Sequence, residues 1–169
     1  SLRDILVEKQ DVASYENRVV EQLNAYFDAL LVHADPEVVK LEETFSRAKN
    51  IQIPVVYTGF VGPAPQPGAG KALRNRLAID EDRKLLVVSA GGGKVGARLL
   101  QAVVDAHAHL SSEHQLQVFT GPYLEYQDYD HLKRQESSKI KIHRFTSDFP
   151  AFLDAADLSI SMAGYNTCM

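Results

Sequence analysis

Apolar positions follow two different spacings along the chain, and the change from one to the other marks predicted helices and strands. Spacings of three and four residues, as at Tyr15, Val19 and Leu23, predict an amphipathic helix. Short unbroken apolar runs, as at 85–88, predict strands buried on both faces of a parallel sheet. The predicted helices are 11–27, 35–50, 71–78, 95–110, 125–135 and 148–156, and the predicted strands are 29–32, 51–57, 85–88, 116–120, 140–145 and 158–162.

Two local signals refine the first third of the chain. Asp35 followed by Pro36 combines a capping side chain with a proline at the first helical position, which predicts that a helix begins there. Pro54 has no amide hydrogen to donate to a sheet, so it predicts the start of a strand or an edge strand. The apolar stripe of the predicted helix consists of Val38, Leu41 and Phe45.

The segment 62–70 contains three prolines and three glycines in nine positions. Neither a helix nor a paired strand tolerates that composition, so the segment is predicted to be a linker at a domain boundary. Strands and helices alternate regularly after it, and such alternation predicts right-handed βαβ units. The predicted fold class is therefore α/β, with a doubly wound, mostly parallel sheet.

Composition and charge exclude several classes of protein. The 169 residues are 45% hydrophobic and 24% charged, which is the composition of a globular protein and not of a disordered one. The net charge of −4 lacks the basic footprint of a protein that binds duplex nucleic acid. Cys168 is the single cysteine, and apolar runs are far shorter than a membrane span, so a cytoplasmic location is predicted.

The two ends of the chain suggest that it is a piece of a longer protein. It starts at Ser1 without a methionine, and it stops at Met169 within what is predicted to be the first turn of a helix. We therefore expect part of the machinery to lie outside this sequence.

A glycine-rich loop follows the strand 85–88 and opens the next predicted helix. Backbone amides in such a loop can approach a phosphate closely, and the helix N-terminus adds about half a positive charge. The alternative is a tight strand-to-helix turn without a ligand, although three consecutive glycines are costly in backbone entropy. The candidate phosphate-binding residues are Ser89, Gly91, Gly92, Gly93, Lys94 and Gly96.

The spacing of this loop can be compared with two known phosphate-binding motifs. Gly91, Gly93 and Gly96 satisfy the spacing G-x-G-x-x-G, which admits a nicotinamide or flavin dinucleotide and hence an oxidoreductase. That motif needs an acid at the end of the next strand, where this chain has no acid before Gly121. A Walker A loop is disfavoured because Lys94 is followed by valine instead of serine or threonine.

A second glycine turn follows the predicted strand 158–162. Ligands of open parallel sheets bind beyond the carboxyl ends of the strands, so both glycine turns are expected at one edge and able to share one ligand. Gly164, Asn166 and Thr167 are the candidate contacts at this turn. The alternative is that Asn166 or Thr167 only caps the helix.

The ordered set of motifs resembles a known family. The set comprises the Gly-Gly-Gly loop, Thr-Gly-Pro at 120–122, Arg-Phe at 144–145, Ala-Asp-Leu at 156–158 and Ala-Gly-Tyr-Asn-Thr at 163–167. It resembles the C-terminal, donor-binding half of GT-B glycosyltransferases. Among these enzymes it resembles the family 28 group around the peptidoglycan N-acetylglucosaminyltransferase and predicted glycosyltransferases near it. The resemblance covers residues 50–169.

The resemblance implies a role for each motif. The first glycine loop, with Ser89, cradles the diphosphate of a nucleotide sugar. Phe145 contacts the nucleotide base through its backbone, and Gly164, Asn166 and Thr167 face the diphosphate and the sugar. The family's Thr-Gly segment at the end of the last N-terminal-domain strand corresponds to 58–61.

It also implies an organisation and an activity. Residues 1–61 are the tail of an N-terminal, acceptor-side domain, 62–70 the linker, and 71–169 a truncated donor-binding domain with a Rossmann-like sheet. The intact protein is then a hexosyltransferase that moves a sugar from a UDP-GlcNAc-like donor to an acceptor. The acceptor can be lipid-linked, and any membrane contact would be made by the part of the protein outside this sequence. The catalytic base lies outside this chain, which is expected to be inactive alone. No cofactor or metal is expected.

The sequence departs from the family pattern at several places. Gly93 and Lys94 stand where the peptidoglycan enzyme has serine and glutamine, and Gly62 follows Val61 where it has an arginine nearby. The acid that holds the nucleotide ribose falls at position 170, one residue past Met169. A nicotinamide-dependent oxidoreductase and a non-catalytic nucleotide-binding or partner module therefore remain the alternatives.

Three further expectations concern individual side chains. The D-x-D sequences at 80–82 and 128–130, and the neighbouring His107 and His109, are expected not to bind metal. Tyr123, Tyr126 and Tyr129 are expected to pack onto the sheet more readily than to stack on a ligand. Replacing Gly93 by valine is expected to abolish nucleotide binding while the domain stays folded.

Overall fold

The computed structural model describes residues 11–110 and 113–168, which form two compact units. The first unit extends to Gly62, and the second is Pro63–Cys168. Each unit is built around its own parallel sheet, with two strands in the first and four in the second.

The first unit pairs two short strands beneath a long helix. Helix α1 (Val12–Tyr26) begins at Asp11, whose carboxylate accepts the amide hydrogen of Ser14 at 3.1 Å. Strands β1 (Leu30–Val32) and β2 (Val55–Tyr57) are parallel, and β2 starts directly after Pro54, which confirms the prediction for that proline. Glu16 is buried on α1, and the Ser46 hydroxyl that donates to its carboxylate lowers its pKa.

The predicted helix over 35–50 is wrong. The Asp35 carboxylate accepts the amide hydrogen of Glu37 at 2.8 Å and thereby caps a turn, and Val38 is exposed. A one-turn helix, α2 (Leu41–Thr44), follows because the hydroxyl of Tyr57 accepts the amide hydrogen of Leu41 at 2.7 Å. A 3-10 turn occupies Ala48–Asn50. A tertiary contact with β2 therefore sets the start of this helix.

The second unit has a four-stranded parallel sheet with the strand order β5-β4-β3-β6. Its strands are β3 (Lys84–Ser89), β4 (His114–Phe119), β5 (Ile140–His143) and β6 (Leu158–Ser161). Its helices are α3 (Ala69–Arg76), α4 (Ala97–His107), α5 (Tyr126–Lys133), α6 (Phe149–Ala155) and α7 (Tyr165–Cys168).

Helices cover both faces of this sheet. Alternate residues of β3 point to opposite faces. Leu86 and Val88 belong to a core with Leu100 of α4 and Leu132 of α5. The other core contains Leu85 and Val87 with residues of α3 and α6, namely Leu73, Ala151, Phe152 and Ala155. The predicted doubly wound, Rossmann-like α/β fold is confirmed.

Several element boundaries differ from the predicted ones. Helix α3 starts at Ala69, inside the predicted linker, because Asp154 of α6 accepts the amide hydrogen of Gly70 at 2.7 Å. Helix α4 starts two residues late, after Gly96, and ends at His107. Strand β5 ends at His143 and leaves Phe145 in the following loop. Among the described residues, no helix has the length and apolar character needed to span a bilayer.

The strand order creates a switch point between β3 and β6. From β3 the chain moves through α4 to β4 on one side, and from β5 it returns through α6 to β6 on the other side of β3. The loops that leave β3 and β6 therefore diverge from adjacent strand ends. In open α/β sheets, such a divergence forms a crevice in which ligands bind.

Candidate functional site

The two glycine turns lie side by side at the carboxyl edge of the sheet. Strands β3 and β6 are parallel neighbours, and their last residues, Ser89 and Ser161, are paired in register. A Cβ atom built on Gly96 lies 3.6 Å from the Cγ atom of Met162, which follows β6. The structure thus brings the first glycine loop and the turn at Ala163 and Gly164 to the switch point.

The first glycine loop (residues 91–96) has a backbone shape that depends on glycine. Gly91, Gly93 and Gly96 have φ values of +62°, +85° and +119°. Two hydrogen bonds hold the loop against β3: Ser89 Oγ accepts the amide hydrogen of Gly91 at 3.1 Å, and the carbonyl of Ala90 accepts that of Gly93 at 3.2 Å. Ser89 is buried, and its role in the structure is to fix this turn.

The loop after β4 packs directly against the first glycine loop. A Cβ atom on Gly93 would lie 2.3 Å from the carbonyl oxygen of Thr120, and one on Gly121 would lie 2.3 Å from that of Gly91. The two backbones therefore touch without intervening side chains. Any side chain at Gly93 would strike this backbone contact, so Gly93→Val is expected to destabilise the domain as well as to affect binding.

The other amides of the loop are left available. No described residue accepts a hydrogen bond from the amides of Gly92, Lys94 or Gly96. Gly96 caps α4 without a side-chain hydrogen bond, so the first amides of that 11-residue helix are also uncapped. Lys94 is exposed and forms no ion pair with the described residues. Unpaired donors, a helix dipole and a cation together make an anion-binding surface.

The second turn is strained at the residue before its glycine. Ala163 has a φ of +53°, an uncommon conformation for a residue with a side chain, and Ser161 Oγ accepts its amide hydrogen at 3.1 Å. Gly164 is exposed, and a Cβ atom there would meet nothing within 4 Å. The carbonyl of Gly164 accepts the amide hydrogen of Thr167 at 2.9 Å. The side chain of Asn166 lies outside the described part of the structure.

Phe145 lies in the loop after β5, two strands away from β3. Its side chain is 71% exposed. Neither its amide nor its carbonyl finds a hydrogen-bond partner among the described residues, whereas the carbonyl of Arg144 accepts the amide hydrogen of Gly121 at 3.0 Å. The backbone of Phe145 is thus free to pair with a ligand.

Two tyrosines for which the sequence predicts packing onto the sheet are exposed. Tyr123 and Tyr126 are each 72% exposed, so the expectation that they pack onto the sheet is wrong for both. Tyr129 does pack, and the guanidinium of Arg144 lies 4.3 Å from the centre of its ring. Sequence spacing cannot distinguish the exposed tyrosines from the packed one, because all three are three residues apart. Only the structure shows that Tyr123 precedes α5.

A polar pair in the first unit also escaped the sequence analysis. His33 Nδ1 lies 2.6 Å from Thr58 Oγ1, and each residue directly follows a strand of the parallel pair β1 and β2. Thr58 begins the Thr-Gly segment 58–61, whose Gly59 has a φ of +70°. The position of His33 just after the apolar run 29–32 was the available signal.

The described residues provide no cluster for a metal ion. No three His, Cys, Asp or Glu side chains among them lie together as metal ligands. His107 is buried, with Nε2 3.4 Å from the carbonyl of His114. Asp80 and Asp82 lie before β3, at the edge opposite the glycine turns.

Comparison with known protein families gives a match to most of the second unit. Residues 86–169 match the family model of the glycosyltransferase family 28 C-terminal domain. The matched segment contains both glycine turns, Tyr123 and Phe145. No significant match exists among curated proteins or among solved structures.

Proposed function

We propose that this chain, which carries a GT-B glycosyltransferase family 28 C-terminal domain over residues 86–169, binds a UDP-GlcNAc-like donor at the carboxyl edge of its second sheet. The family match supports a glycosyltransferase with a nucleotide-sugar donor site. The observation that carries the more specific proposal is the first glycine loop, which presents unpaired amides and Lys94 at the switch point.

Each part of the donor has a matching surface. The diphosphate is assigned to the amides of Gly92, Lys94 and Gly96 and to the N-terminus of α4, with Ser89, Gly91 and Gly93 holding the loop in shape. The free backbone of Phe145 is assigned to the edge of the uracil. The sugar is assigned to the second turn at Gly164, Asn166 and Thr167.

The chemistry that follows is a direct displacement at the anomeric carbon. The acceptor hydroxyl attacks that carbon and gives its proton to a base, while the bond between the carbon and the diphosphate oxygen breaks. Negative charge grows on the leaving diphosphate, where preorganised amides, the α4 dipole and Lys94 stabilise it. No residue of this chain is assigned as the base, so the chain alone is proposed to bind the donor without transferring the sugar.

The finer features of the activity are part of this proposal. The transferred group is a hexose of the N-acetylglucosamine type, the acceptor is of the lipid-linked class, and the reaction takes place in the cytoplasm. Because Lys94 and the helix dipole supply the positive charge, donor binding is proposed to need no metal ion. Equal UDP affinity in EDTA and in Mg²⁺ would support that last point.

A titration of the chain with UDP, UDP-GlcNAc and NAD tests the proposal. We expect saturable binding of UDP and UDP-GlcNAc by calorimetry, and no binding of NAD. In an NMR titration, the amide resonances of Gly92, Lys94 and Gly96 should shift most. Binding of NAD alone would instead favour the oxidoreductase, and failure of all three ligands to bind would favour a non-catalytic module.

A further inference from the structure

Tyr123 is an exposed aromatic residue beside the first glycine loop, and hydrogen bonds hold its backbone in place. The residue is 72% exposed, although a tyrosine ring has a large apolar surface. Its amide hydrogen is donated to the carbonyl of Gly92 at 2.9 Å. A Cβ atom on Gly92 would lie 3.4 Å from the Tyr123 ring. The ring therefore flanks the loop at its exposed glycine.

The backbone on both sides of Tyr123 is also fixed. One nitrogen of the Arg144 guanidinium donates to the carbonyls of Pro122 and Leu124, each at 3.2 Å. The side chain of Leu124 is buried in the core beneath α4 and α5. The ring is thus presented to solvent on a rigid support, which lowers the entropy lost when a ligand packs against it.

The strand order decides which part of a donor the ring can reach. Strand β4, which precedes Tyr123, lies between β3 with the first glycine loop and β5 with the loop of Phe145. Strand β6 with the second turn lies on the other side of β3. If the diphosphate of a donor occupies the first glycine loop and its base reaches Phe145, the nucleoside therefore lies next to Tyr123. The sugar of that donor lies on the other side, away from the ring.

We infer that Tyr123 is a further binding residue of the donor site, where its ring stacks on the nucleobase of the donor. This inference rests on the proposed function. Aromatic rings stack on any base, so the ring supplies affinity for the nucleoside half, while the backbone of Phe145 supplies the choice of base. The phenolic hydroxyl is not required for stacking.

The test compares four proteins with two ligands. The proteins are the unmodified chain, Tyr123→Ala, Tyr123→Phe and the control Tyr126→Ala, which removes an equally exposed tyrosine three residues away. The ligands are UDP and inorganic pyrophosphate, and affinities are measured by calorimetry. We expect Tyr123→Ala to weaken UDP binding by roughly tenfold and to leave pyrophosphate binding unchanged. Tyr123→Phe and Tyr126→Ala should bind both ligands as the unmodified chain does.

Each other result has a definite meaning. Unchanged UDP affinity in Tyr123→Ala would overturn the stacking role while leaving the donor site intact. An equal loss for UDP and pyrophosphate would show that Tyr123 only supports the first glycine loop, which also overturns it. Failure of the unmodified chain to bind either ligand would overturn the proposed function, and the role of Tyr123 with it.

Discussion

At the scale of single residues, the adjacent glycines of the first loop differ in what they do. Gly93 is buried, has a φ of +85°, and lies against the carbonyl of Thr120. Gly92 is exposed and does not have a positive φ, and the nearest atoms to a Cβ there belong to the Tyr123 ring at ordinary contact distance. Gly93 is thus needed by the fold, whereas Gly92 borders the space assigned to the ligand.

Alanine at these two positions should separate folding from binding. Gly93→Ala should lower the free energy of unfolding by about 2–4 kcal/mol, because it adds backbone strain to a steric overlap. Gly92→Ala should change that free energy by less than about 0.5 kcal/mol. It should still weaken UDP binding by roughly tenfold, because its methyl group hinders approach to the loop amides.

Urea denaturation and calorimetric titration with UDP measure the two effects. Gly164→Ala is a useful control for the stability measurement, since a Cβ atom there meets nothing within 4 Å and should not disturb the fold. Equal losses of stability in Gly92→Ala and Gly93→Ala would contradict the distinction between the two glycines.

At the scale of the elements, Asp157 connects one helix and two strands at the edge opposite the glycine turns. Its carboxylate accepts the amide hydrogen of Leu85 in β3 at 2.8 Å. It also pairs with Lys84 at 3.0 Å and with Arg74 of α3 at 3.1 Å. The Leu85 amide, followed by the Lys84 and Arg74 contacts, lowers the pKa of Asp157 from 3.8 to about 2.

This lowered pKa predicts a defined acid sensitivity. Since the folded-state pKa lies below the unfolded one, the contribution is complete above about pH 4 and disappears as the pH falls through about 2. Asp157→Asn should therefore cost about 2 kcal/mol of unfolding free energy at pH 7, and the difference should shrink towards zero near pH 2. Urea denaturation of both proteins at each pH measures it. A difference that is the same at both pH values would show that charge plays no part.

At the scale of the whole molecule, the two units differ in how completely their sheets are covered. In the second unit, β3 is paired on both sides and its residues 85–89 are buried. In the first unit, the sheet formed by the described residues has two strands, and the paired residues Leu31 and Val56 are 41% and 46% exposed. Sheets of two strands are marginal without further packing.

Hydrogen exchange should reveal this inequality. We expect the amides of β3 and β4 to exchange slowest, because they open only with the whole second unit, and those of β1 and β2 to exchange faster through local opening. NMR-detected exchange on the chain measures the protection of each strand. Equal protection of β1 and β3 would indicate that the chain unfolds as a single cooperative body.

Local patterns were sufficient to predict the architecture of the second unit. Strands β3 and β4 and helix α6 lie where apolar spacing placed them, because each buries a face whose period is set by its own backbone. Helix α5 and strand β6 also lie close to their predicted ranges. The glycine loop after β3 was equally visible, since its conformation requires glycine. The boundaries were less accurate: α3 starts early because of Asp154, 84 residues away in sequence.

The sequence by itself therefore determined the doubly wound sheet, the two glycine turns and the similarity of residues 86–169 to a family model, since all three depend on local spacing and residue type. Tertiary structure alone decided that Gly93 supports the loop while Gly92 faces solvent, that Tyr123 stands exposed beside it, and that 35–50 is not one helix. Each of these depends on contacts such as Gly93 with Thr120 or Leu41 with Tyr57. Such contacts join distant segments, and no local period records them.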